Sequence, residues 1–431
     1  MQLAFFSDNE RSTVSKINSK ANKLSFQDKR FHDWYRFVLS FPPHLVRQYI
    51  DRFGLHSGQT ILDPFCGTGT TLVESKIQGI DSIGIEANPM AYFASRVKTD
   101  WCITRNDLIC HASQVTDCAE KMIEKEPSST LRTLPDEASS LLLRDSISPL
   151  PLHKSLILLE AIRYCNEGRY YRHELLAFAK ALVFSISNLH FGPEVGVCQV
   201  KKQDAPVIEL WMKEIIAMAN DLTAIPEHQA FAEIHLADSR RLSTILKPDS
   251  IDAVFTSPPY PNEKDYTRTT RLESVLLGLI NNKAELRNFK HGLIRSNTRN
   301  VYKGDADDIW VADHQEIQSI ADAIEKRRIE LNKTSGFEKL YSRVTRLYFG
   351  GMARHLAELR SFLKPGAYLG YVVGDQASYL QIMIKTGELL ADIAQSLGYK
   401  VVDIDLFRTR FATATKQQMR EEVVILQWLG P

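Results

Sequence analysis

Residues 59–100 read QTILDPFCGTGTTLVESKIQGIDSIGIEANPMAYFASRVKTD, and this stretch decides the fold. Its pattern predicts a strand, a turn that contains Gly67 and Gly69, a helix, a second strand that ends at Glu86, and another helix. This order and length are typical of one β-α-β unit. Glycine tolerates positive φ and lets the backbone approach a ligand closely. The stretch therefore predicts a parallel sheet with a ligand site at the carboxyl ends of its strands.

The alternation of helix and strand continues toward the C-terminus. The pattern predicts a short helix and a strand in 239–260, a helix and a strand in 356–375, a helix and a strand in 386–411, and a last strand in 420–430. Helices that alternate with short apolar strands indicate an α/β fold with a doubly wound, mostly parallel sheet.

The N-terminal part of the chain precedes this framework. Residues 1–25 are polar and are predicted to form a loose arm. A helix is predicted to begin near Pro43, because proline is favoured in the first turn of a helix. The apolar residues of this helix fall on one face: Leu45, Val46, Tyr49, Ile50 and Phe53.

Composition limits the classes of function. The chain has 431 residues, is 44% hydrophobic and 24% charged, and carries a formal net charge of +1, which is typical of a soluble globular protein. Any nucleic-acid surface must therefore be local. The six cysteines lack metal-ligand spacing, so we expect no metal site and a reducing cytoplasm. The N-terminus has too short an apolar run for a signal peptide, and the apolar stretch 174–192 is predicted to be a buried helix.

Acidic residues near the glycine turn point to a nucleoside ligand. Glu86 ends the second strand, where its carboxylate can accept hydrogen bonds from ribose hydroxyls. Asp63 begins the turn and would repel a pyrophosphate but tolerate a cationic sulfonium, which favours S-adenosylmethionine over NAD. Asp238, just before the next core strand, could accept a hydrogen bond from an adenine amino group. The alternatives are a purely structural turn and, for Asp238, a surface loop acid.

Residues 252–266, DAVFTSPPYPNEKDY, end a buried strand on the turn Ser257-Pro258-Pro259-Tyr260. Prolines supply carbonyl acceptors and no N–H, so the Ser257 hydroxyl and the Pro258 carbonyl suit an exocyclic amine with its two donors. Tyr260 offers a flat face on which a base can stack. The alternative is a rigid loop exit. The turn holds no cysteine, which argues against a covalent thiol route.

DPFCGTGT, GIEANP and TSPPY together resemble the amino-methylating DNA methyltransferases, over about 31–100 and 235–430. The resemblance implies a Rossmann-like class I methyltransferase fold, and a base flipped out of double-stranded DNA into the Ser-Pro-Pro-Tyr turn. That form of the turn favours cytosine-N4 over adenine-N6 as the acceptor. A cognate restriction endonuclease or defence-system subunit is the implied protein partner. The implied cofactor-binding residues are Asp63, Pro64, Phe65, Gly67, Gly69, Thr70, Glu86, Asn88 and Asp238.

The same resemblance assigns roles to whole segments. FHDWYRFVLSFPPHL, residues 31–45, is similar to a motif that closes over the methionine end of the cofactor, although an aromatic packing segment is the alternative. The predicted division of the chain is 1–101 (arm, closing motif and first half of the core), 102–230 (helical insertion), 231–280 (core with the catalytic turn), 281–340 (basic insertion) and 341–431 (C-terminal part of the core).

Basic residues follow the catalytic turn and predict a surface for DNA phosphates. They lie near the turn and in the basic insertion, and a second basic stretch, 407–420, could also reach the duplex. A solvated helical face is the alternative, and the helical insertion could instead be a clamp, a recognition lobe or a partner surface. The predicted DNA-contacting residues are Lys264, Arg268, Arg271, Lys290, Arg295 and Arg299.

The hypothesis rests on geometry, since the glycine turn and the proline turn must lie at neighbouring strand tips on one side of the sheet. Three other functions stay open. They are an RNA or protein methyltransferase that uses the same turn, a non-catalytic cofactor-binding subunit that binds DNA or acts as a scaffold, and a nicotinamide oxidoreductase, which Asp63 and the missing third glycine disfavour.

Overall fold

The computed structural model describes residues 24–36, 40–126, 130–192, 194–226, 230–262, 264–412 and 417–431. Nearly all of the predicted N-terminal arm therefore lies outside the described residues. The described strands are β1 (Thr60–Asp63), β2 (Asp81–Glu86), β3 (Leu189–Phe191), β4 (Val195–Val197), β5 (Ala232–Leu236), β6 (Ile251–Thr256), β7 (Leu363–Gly374), β8 (Lys400–Ala412) and β9 (Gln417–Gln427).

Seven of these strands form one twisted sheet in the order β5-β2-β1-β6-β7-β9-β8, and β3 and β4 form a separate short hairpin. The pairs from β5 through β7 are parallel, whereas β9 runs antiparallel to both β7 and β8. The predicted mostly parallel, doubly wound sheet is confirmed. The strand order reverses at β1, which lies between β2 and β6, and in open α/β sheets ligands bind at such a switch point.

Helices surround the sheet and fill both insertions. The described α-helices are α1 (Pro43–Arg52), α2 (Thr70–Ile77), α3 (Pro89–Lys98), α4 (Arg105–Lys125), α5 (Asp136–Ser139), α6 (Pro149–Tyr164), α7 (Tyr171–Ala181), α8 (Val207–Asp221), α9 (Tyr266–Thr269), α10 (Arg271–Leu276), α11 (Lys283–His291), α12 (Gln315–Glu330), α13 (Tyr341–Leu359) and α14 (Thr386–Ser396). Shorter 3₁₀ turns include Gln27–Lys29, His32–Trp34, Leu222–Ala224, Thr298–Asn300, Asp307–Val311, Glu338–Leu340 and Arg360–Phe362.

Side chains alternate along each core strand and bury both faces of the sheet. In β6, Phe255 packs with the α1 side, and its ring stacks on Tyr49 with a centroid distance of 5.0 Å. The preceding residue, Val254, points to the opposite face, where α13 and α14 pack. Four of the five residues predicted to form the apolar face of α1 are buried and Phe53 is partly buried, so that prediction is confirmed.

The helical insertion forms a lobe around Trp211, which is fully buried, and its apolar core is continuous with residues of α2 and α3 such as Val73 and Met90. The Trp211 Nε1–H donates to the Glu174 carbonyl over 3.0 Å. The predicted long helix in 174–192 is shorter than expected: α7 continues as a π-helix to Ile186, and the chain then enters the β3–β4 hairpin. N-terminal residues bind the lobe through Asp221. Its carboxylate accepts hydrogen bonds from the Trp34 indole N–H and from the Phe31 backbone N–H.

The basic insertion packs on α13 through the 3₁₀ turn Asp307–Val311. The predicted short helix in 239–260 is wrong, since the residues before β6 form turns. In these turns Arg240 is buried between the carboxylates of Asp238 and Asp307, which joins the core to the insertion.

No helix in the described part of the chain is both long and apolar enough to cross a bilayer. All six cysteines are free thiols.

We expect Gly350→Ala to destabilise the protein. A Cβ at Gly350 would lie 1.9 Å from the Asp307 carbonyl oxygen, so α13 and the basic insertion would have to separate. Overpacking of this kind costs about 1–3 kcal/mol, which exceeds the ~1 kcal/mol gain in helix propensity. Urea unfolding measures the loss. Gly304→Ala is the control because a Cβ there meets no atom within 4 Å, and equal stability of the two variants would contradict the packing argument.

Candidate active site

The tips of β1 and β6 are tied together by one hydrogen bond. The Thr256 hydroxyl donates to Asp63 Oδ1 over 2.6 Å, and the Phe65 backbone N–H donates to the same oxygen over 3.1 Å. Asp63 is fully buried, and burial raises the pKa of its carboxyl to about 6. Asp63 is absent from the walls of the adjacent cavity, so its carboxylate links the strand ends and does not face a ligand. The placement of Asp63 therefore does not support the predicted direct contact between its carboxylate and the cofactor.

A cavity of about 480 Å³ opens at these strand tips, a size typical of small-molecule sites. The glycine turn and the proline turn both line it, so the geometric condition of the sequence hypothesis is met. The predicted residues among its walls are Pro64, Phe65, Gly67, Thr70, Glu86, Asn88, Ser257, Pro258, Pro259, Tyr260 and Lys264.

The glycine turn is held from behind by Glu86. Its two carboxylate oxygens accept the backbone N–H groups of Gly67, at 2.8 Å, and Asn88, at 2.6 Å. Burial raises the pKa of the Glu86 carboxyl to about 7, although the two N–H groups oppose that shift. Gly67 and Gly69 have φ of 52° and 82°, a left-handed conformation that favours glycine. The turn is thus a preformed concave wall.

The walls of this part of the cavity fit a nucleoside. A Cβ at Gly67 would meet no atom within 4 Å, so the backbone is open to a ligand there. The buried Thr68 hydroxyl has no hydrogen-bond partner among the described residues, which leaves a polar group for a ligand. The Glu86 carboxylate lines this part of the cavity, where the sequence predicts acceptors for ribose hydroxyls. Behind the turn, the fully buried Lys98 ammonium donates to the Thr68 carbonyl over 2.7 Å, and burial lowers the pKa of Lys98 to about 7.

The other predicted residues of the glycine turn have mixed placements. Asn88 caps α3 by accepting the Met90 N–H at 3.0 Å, so it has a structural role as well as a place in the wall. Phe65 lines the cavity and meets the His355 ring edge-on at 5.0 Å. Gly69 lies outside the walls, and a Cβ there would come 3.0 Å from Ser95 Cβ, so it is needed for close packing of α2 on α3.

Asp238 is turned away from the cavity. Its carboxylate accepts hydrogen bonds from the Arg240 guanidinium at 2.7 and 2.9 Å, and it is absent from the cavity walls. The Asp238 carboxylate therefore does not face the cavity, as the predicted contact with adenine would require. Its neighbours Ala237 and Ser239 line the cavity instead.

The proline turn presents acceptors to the cavity. The Ser257 hydroxyl donates its hydrogen to the Val372 carbonyl of β7 over 3.0 Å. The lone pairs of its oxygen are therefore available to accept hydrogen bonds from a ligand. Tyr260 is half-buried, and its ring lies against Gly374, where an added Cβ would be 3.2 Å from Tyr260 Cε2. Burial together with the Glu421 carboxylate raises the pKa of the Tyr260 phenol, which stays neutral.

Three of the six predicted DNA-contacting residues have internal partners. Arg271 is buried and bonds Thr267, Arg295 is buried and holds the Asp305 carboxylate through two 2.8 Å bonds, and Lys290 pairs with Asp265 at 3.1 Å. These side chains cannot reach a phosphate without leaving those partners. Arg268 and Arg299 are about one-third exposed and face one carboxylate, Glu194 of the β3–β4 hairpin, at 3.7 and 3.9 Å.

The predicted closing motif divides between two places. Phe31, Trp34 and Tyr35 pack into the core of the helical lobe, whereas Ser40 and Phe41 line the cavity. Residues 37–39 lie outside the described residues.

Several wall residues were missed by the sequence analysis. Asn262 follows the proline turn closely and could have been noticed, but the others come from distant segments that no local pattern connects to the turns. These missed residues are Glu194, Asn262, Ser296, Gln376 and Glu421.

We expect Asp63→Asn to change how stability depends on pH. Because the folded state raises the pKa of Asp63 from 3.8 to about 6, it binds this proton more tightly than the unfolded state does. The stabilising contribution is present at low pH and is lost as pH rises through this window, by up to about 1.4 kcal/mol per pH unit. Asparagine keeps the acceptor for Thr256 and does not titrate. Urea unfolding from pH 4 to 7 should show a smaller loss of stability for the variant than for the wild type.

Asp117→Asn, at an exposed position of α4, is the control and should follow the wild-type profile. Parallel profiles for Asp63→Asn and the wild type would contradict the assignment of a buried, proton-binding Asp63.

Comparisons with known proteins agree with this architecture. The sequence model of a family described as DNA methylase matches residues 7–95. The type II methyltransferase M.BsoBI of Geobacillus stearothermophilus is 26% identical over 444 residues, which cover 93% of this chain and 84% of that protein. The type II methyltransferase M.AvaI of Nostoc sp. is 25% identical over 428 residues, which cover 93% and 85%.

Among solved structures, the rRNA methyltransferase aviRa from Streptomyces viridochromogenes aligns with 95% of this chain and 96% of its own, at 11% identity and a TM-score of 0.34. No cluster of metal-ligating side chains occurs among the residues that the structure describes. The chain, with its two turns in one cavity, is thus similar to a DNA methylase family over residues 7–95 and to type II methyltransferases over most of its length.

Proposed function

We propose that this protein methylates the exocyclic amino group of a base flipped out of double-stranded DNA, with cytosine-N4 as the favoured acceptor. The observation that carries the proposal is the single cavity that joins a nucleoside-binding glycine turn to an acceptor-rich proline turn. The description of the family as DNA methylase and the type II methyltransferases among the relatives support DNA as the substrate.

The cofactor half of the cavity would be held by three groups. The Glu86 carboxylate would accept the ribose hydroxyls, the open backbone at Gly67 would allow close approach, and the Thr68 hydroxyl would find its missing partner. S-adenosylmethionine, when bound there, supplies a methyl group on a positively charged sulfur. The contribution of the protein is to hold an amine nitrogen in line with that methyl group, so catalysis is mainly positioning.

The proline turn would position the amine. An exocyclic NH₂ has two N–H donors. The Pro258 carbonyl would accept one of them, and the Ser257 oxygen would accept the other, because the Ser257 hydroxyl already donates its own hydrogen to the Val372 carbonyl. Hydrogen bonds to these acceptors draw the N–H protons away and leave more electron density on the nitrogen. Tyr260, braced by Gly374, would stack on the base.

The Thr-Ser-Pro-Pro-Tyr form of the turn favours cytosine-N4, and adenine-N6 is the second candidate because both amines need the same acceptors. A cognate restriction endonuclease is the expected partner in the same cell, since the relatives are type II methyltransferases.

DNA would approach across the mouth of the cavity beside the β3–β4 hairpin. Lys264, Arg268 and Arg299 lie there, and the two arginines now share the Glu194 carboxylate at distances too long for hydrogen bonds. A phosphate in the place of that carboxylate would bring a stronger acceptor to both guanidinium groups. In the free protein, the Glu194 carboxylate would therefore occupy the position that a DNA backbone phosphate takes in the complex.

Incubation with labelled S-adenosylmethionine and duplex DNA, followed by mass spectrometry of the nucleosides, tests the function. We expect N4-methylcytosine. Ser257→Ala should lower turnover at least about tenfold, the value of one hydrogen bond, and Tyr260→Ala should lower it further, because stacking is worth about 1–3 kcal/mol.

Tyr260→Phe is the matched control, since it keeps the ring and should keep most of the activity. All three variants should retain cofactor affinity in calorimetry. N6-methyladenine alone would replace the favoured acceptor by the second candidate. Methylation of RNA or protein with none of DNA would refute the proposal.

We expect Glu194→Gln to raise affinity for duplex DNA about two- to fivefold, because it removes a like charge from the phosphate path. Arg268→Gln should weaken binding and reduce the slope of log K against log salt by about 0.9. Fluorescence anisotropy at several salt concentrations measures both effects. Glu120→Gln, on an exposed face of α4, is the charge-matched control and should leave affinity unchanged.

In the Arg268→Gln background the gain from Glu194→Gln should shrink, because Glu194 competes with the phosphate for the Arg268 guanidinium group. A gain of equal size in both backgrounds, or no gain at all, would remove Glu194 from the DNA path.

A further inference from the structure

Two side-chain amides lie in the cavity with donors that no described residue uses. Asn262 is 5% exposed and Gln376 is 4% exposed, and both line the cavity. An amide donor that a bound ligand closes off from water costs about 1–3 kcal/mol unless that ligand supplies an acceptor.

Asn262 is fixed in orientation by its own segment. Its backbone N–H donates to the Ser296 carbonyl over 2.9 Å, and its side-chain oxygen accepts the Lys264 N–H over 2.8 Å. With Oδ1 committed to a backbone donor, the other end of the amide must be Nδ2. That NH₂ has no hydrogen-bond partner among the described residues and lies two residues after Tyr260.

The backbone of Gln376 is also held in place by hydrogen bonds, just beyond the neighbouring strand. It follows the end of β7 and exchanges two backbone hydrogen bonds with Ile384, at 3.0 and 2.7 Å. Its side-chain amide makes no hydrogen bond to another part of the chain that the structure describes. The two amides thus come from the segments that follow β6 and β7, which are adjacent in the sheet.

The target base needs such donors. Its amine would be taken by Ser257 and Pro258, but the adjacent ring nitrogen, N3 of cytosine or N1 of adenine, is an acceptor that loses its partner when the base leaves the duplex. Cytosine carries a second acceptor, O2, on the same edge. An unpaired acceptor in the closed cavity would cost as much as an unpaired donor.

We propose that the amides of Asn262 and Gln376 read the Watson–Crick edge of the flipped base, and that one of them donates to the ring nitrogen beside the amine. The inference rests on the proposed function, and it adds two positioning residues that also select the base. A base without an acceptor at the position of that ring nitrogen would leave the amide donor that faces it unpaired and would be rejected.

A substitution cycle between protein and substrate tests the proposal. The variants are Asn262→Ala, Asn262→Asp and Gln376→Ala. Gln395→Ala is the control, because that amide is exposed on α14 and lies outside the cavity walls. Each is assayed on two duplexes. One holds the base that the wild type methylates, and the other holds its deaza analogue, 3-deazacytosine or 1-deazaadenine, in which C–H replaces the ring nitrogen.

We expect at least one of Asn262→Ala and Gln376→Ala to lower kcat/KM about tenfold or more on the natural base and to have little further effect on the deaza base. Asn262→Asp should be worse than Asn262→Ala on the natural base, because a carboxylate oxygen would face the ring nitrogen. Cofactor affinity and Tm should stay near the wild-type values, which a merely structural role would not allow.

Equal losses on the two duplexes for both alanine variants would overturn the inference and leave the proposed function in place. A wild-type protein that methylates no base in duplex DNA would overturn the proposed function first, and this inference with it.

Discussion

The hydrogen bond between the Thr256 hydroxyl and Asp63 holds the functional part of the molecule together. It joins two strands that are far apart in sequence but adjacent in the sheet, and each of those strands leads directly into one of the two turns around the cavity. A shift of either strand tip would change the separation between the nucleoside wall and the acceptor wall. Because methyl transfer depends on the placement of two reacting atoms, this buried contact has a functional consequence although neither residue faces the cavity.

The same reasoning explains why the carboxylates near the glycine turn differ in role. Asp63 is an internal link, Glu86 supports the turn and also faces the cavity, and Asp238 belongs to an ionic cluster around Arg240. Sequence position alone predicts the same role for the three carboxylates, since each lies at or just beyond the end of a core strand. Their partners separate them, and only Glu86 keeps an open path to a ligand.

The framework and both turns could be predicted from sequence because they depend on local patterns. The glycine turn, the strand before it and the proline turn each lie within a few residues of the apolar run that positions them. The role predicted for Asp238 does not match its placement, because Arg240, two residues later, binds its carboxylate. The role predicted for Arg295 does not match either, because Asp305 pairs with its guanidinium group. A count of basic residues does not show which of them find acids inside the fold.

The rest of the cavity could not be predicted for a different reason. Glu194, Gln376 and Glu421 reach it only because the helical lobe, β7 and β9 converge there, and their separations in sequence exceed the range of any periodic pattern. The amide of Asn262 was within reach of a local argument, but its importance depends on the Lys264 N–H that orients it. Placement and orientation, and not residue type, identify these side chains.

Lys98 adds a calorimetric consequence. Its ammonium lies behind the glycine turn with a pKa lowered to about 7, and the pKa of Glu86 in the same wall is raised to about 7. A ligand with net positive charge disfavours the protonated form of both groups. Near neutral pH we therefore expect cofactor binding to release protons into the medium, so that the apparent binding enthalpy varies with the ionisation enthalpy of the buffer.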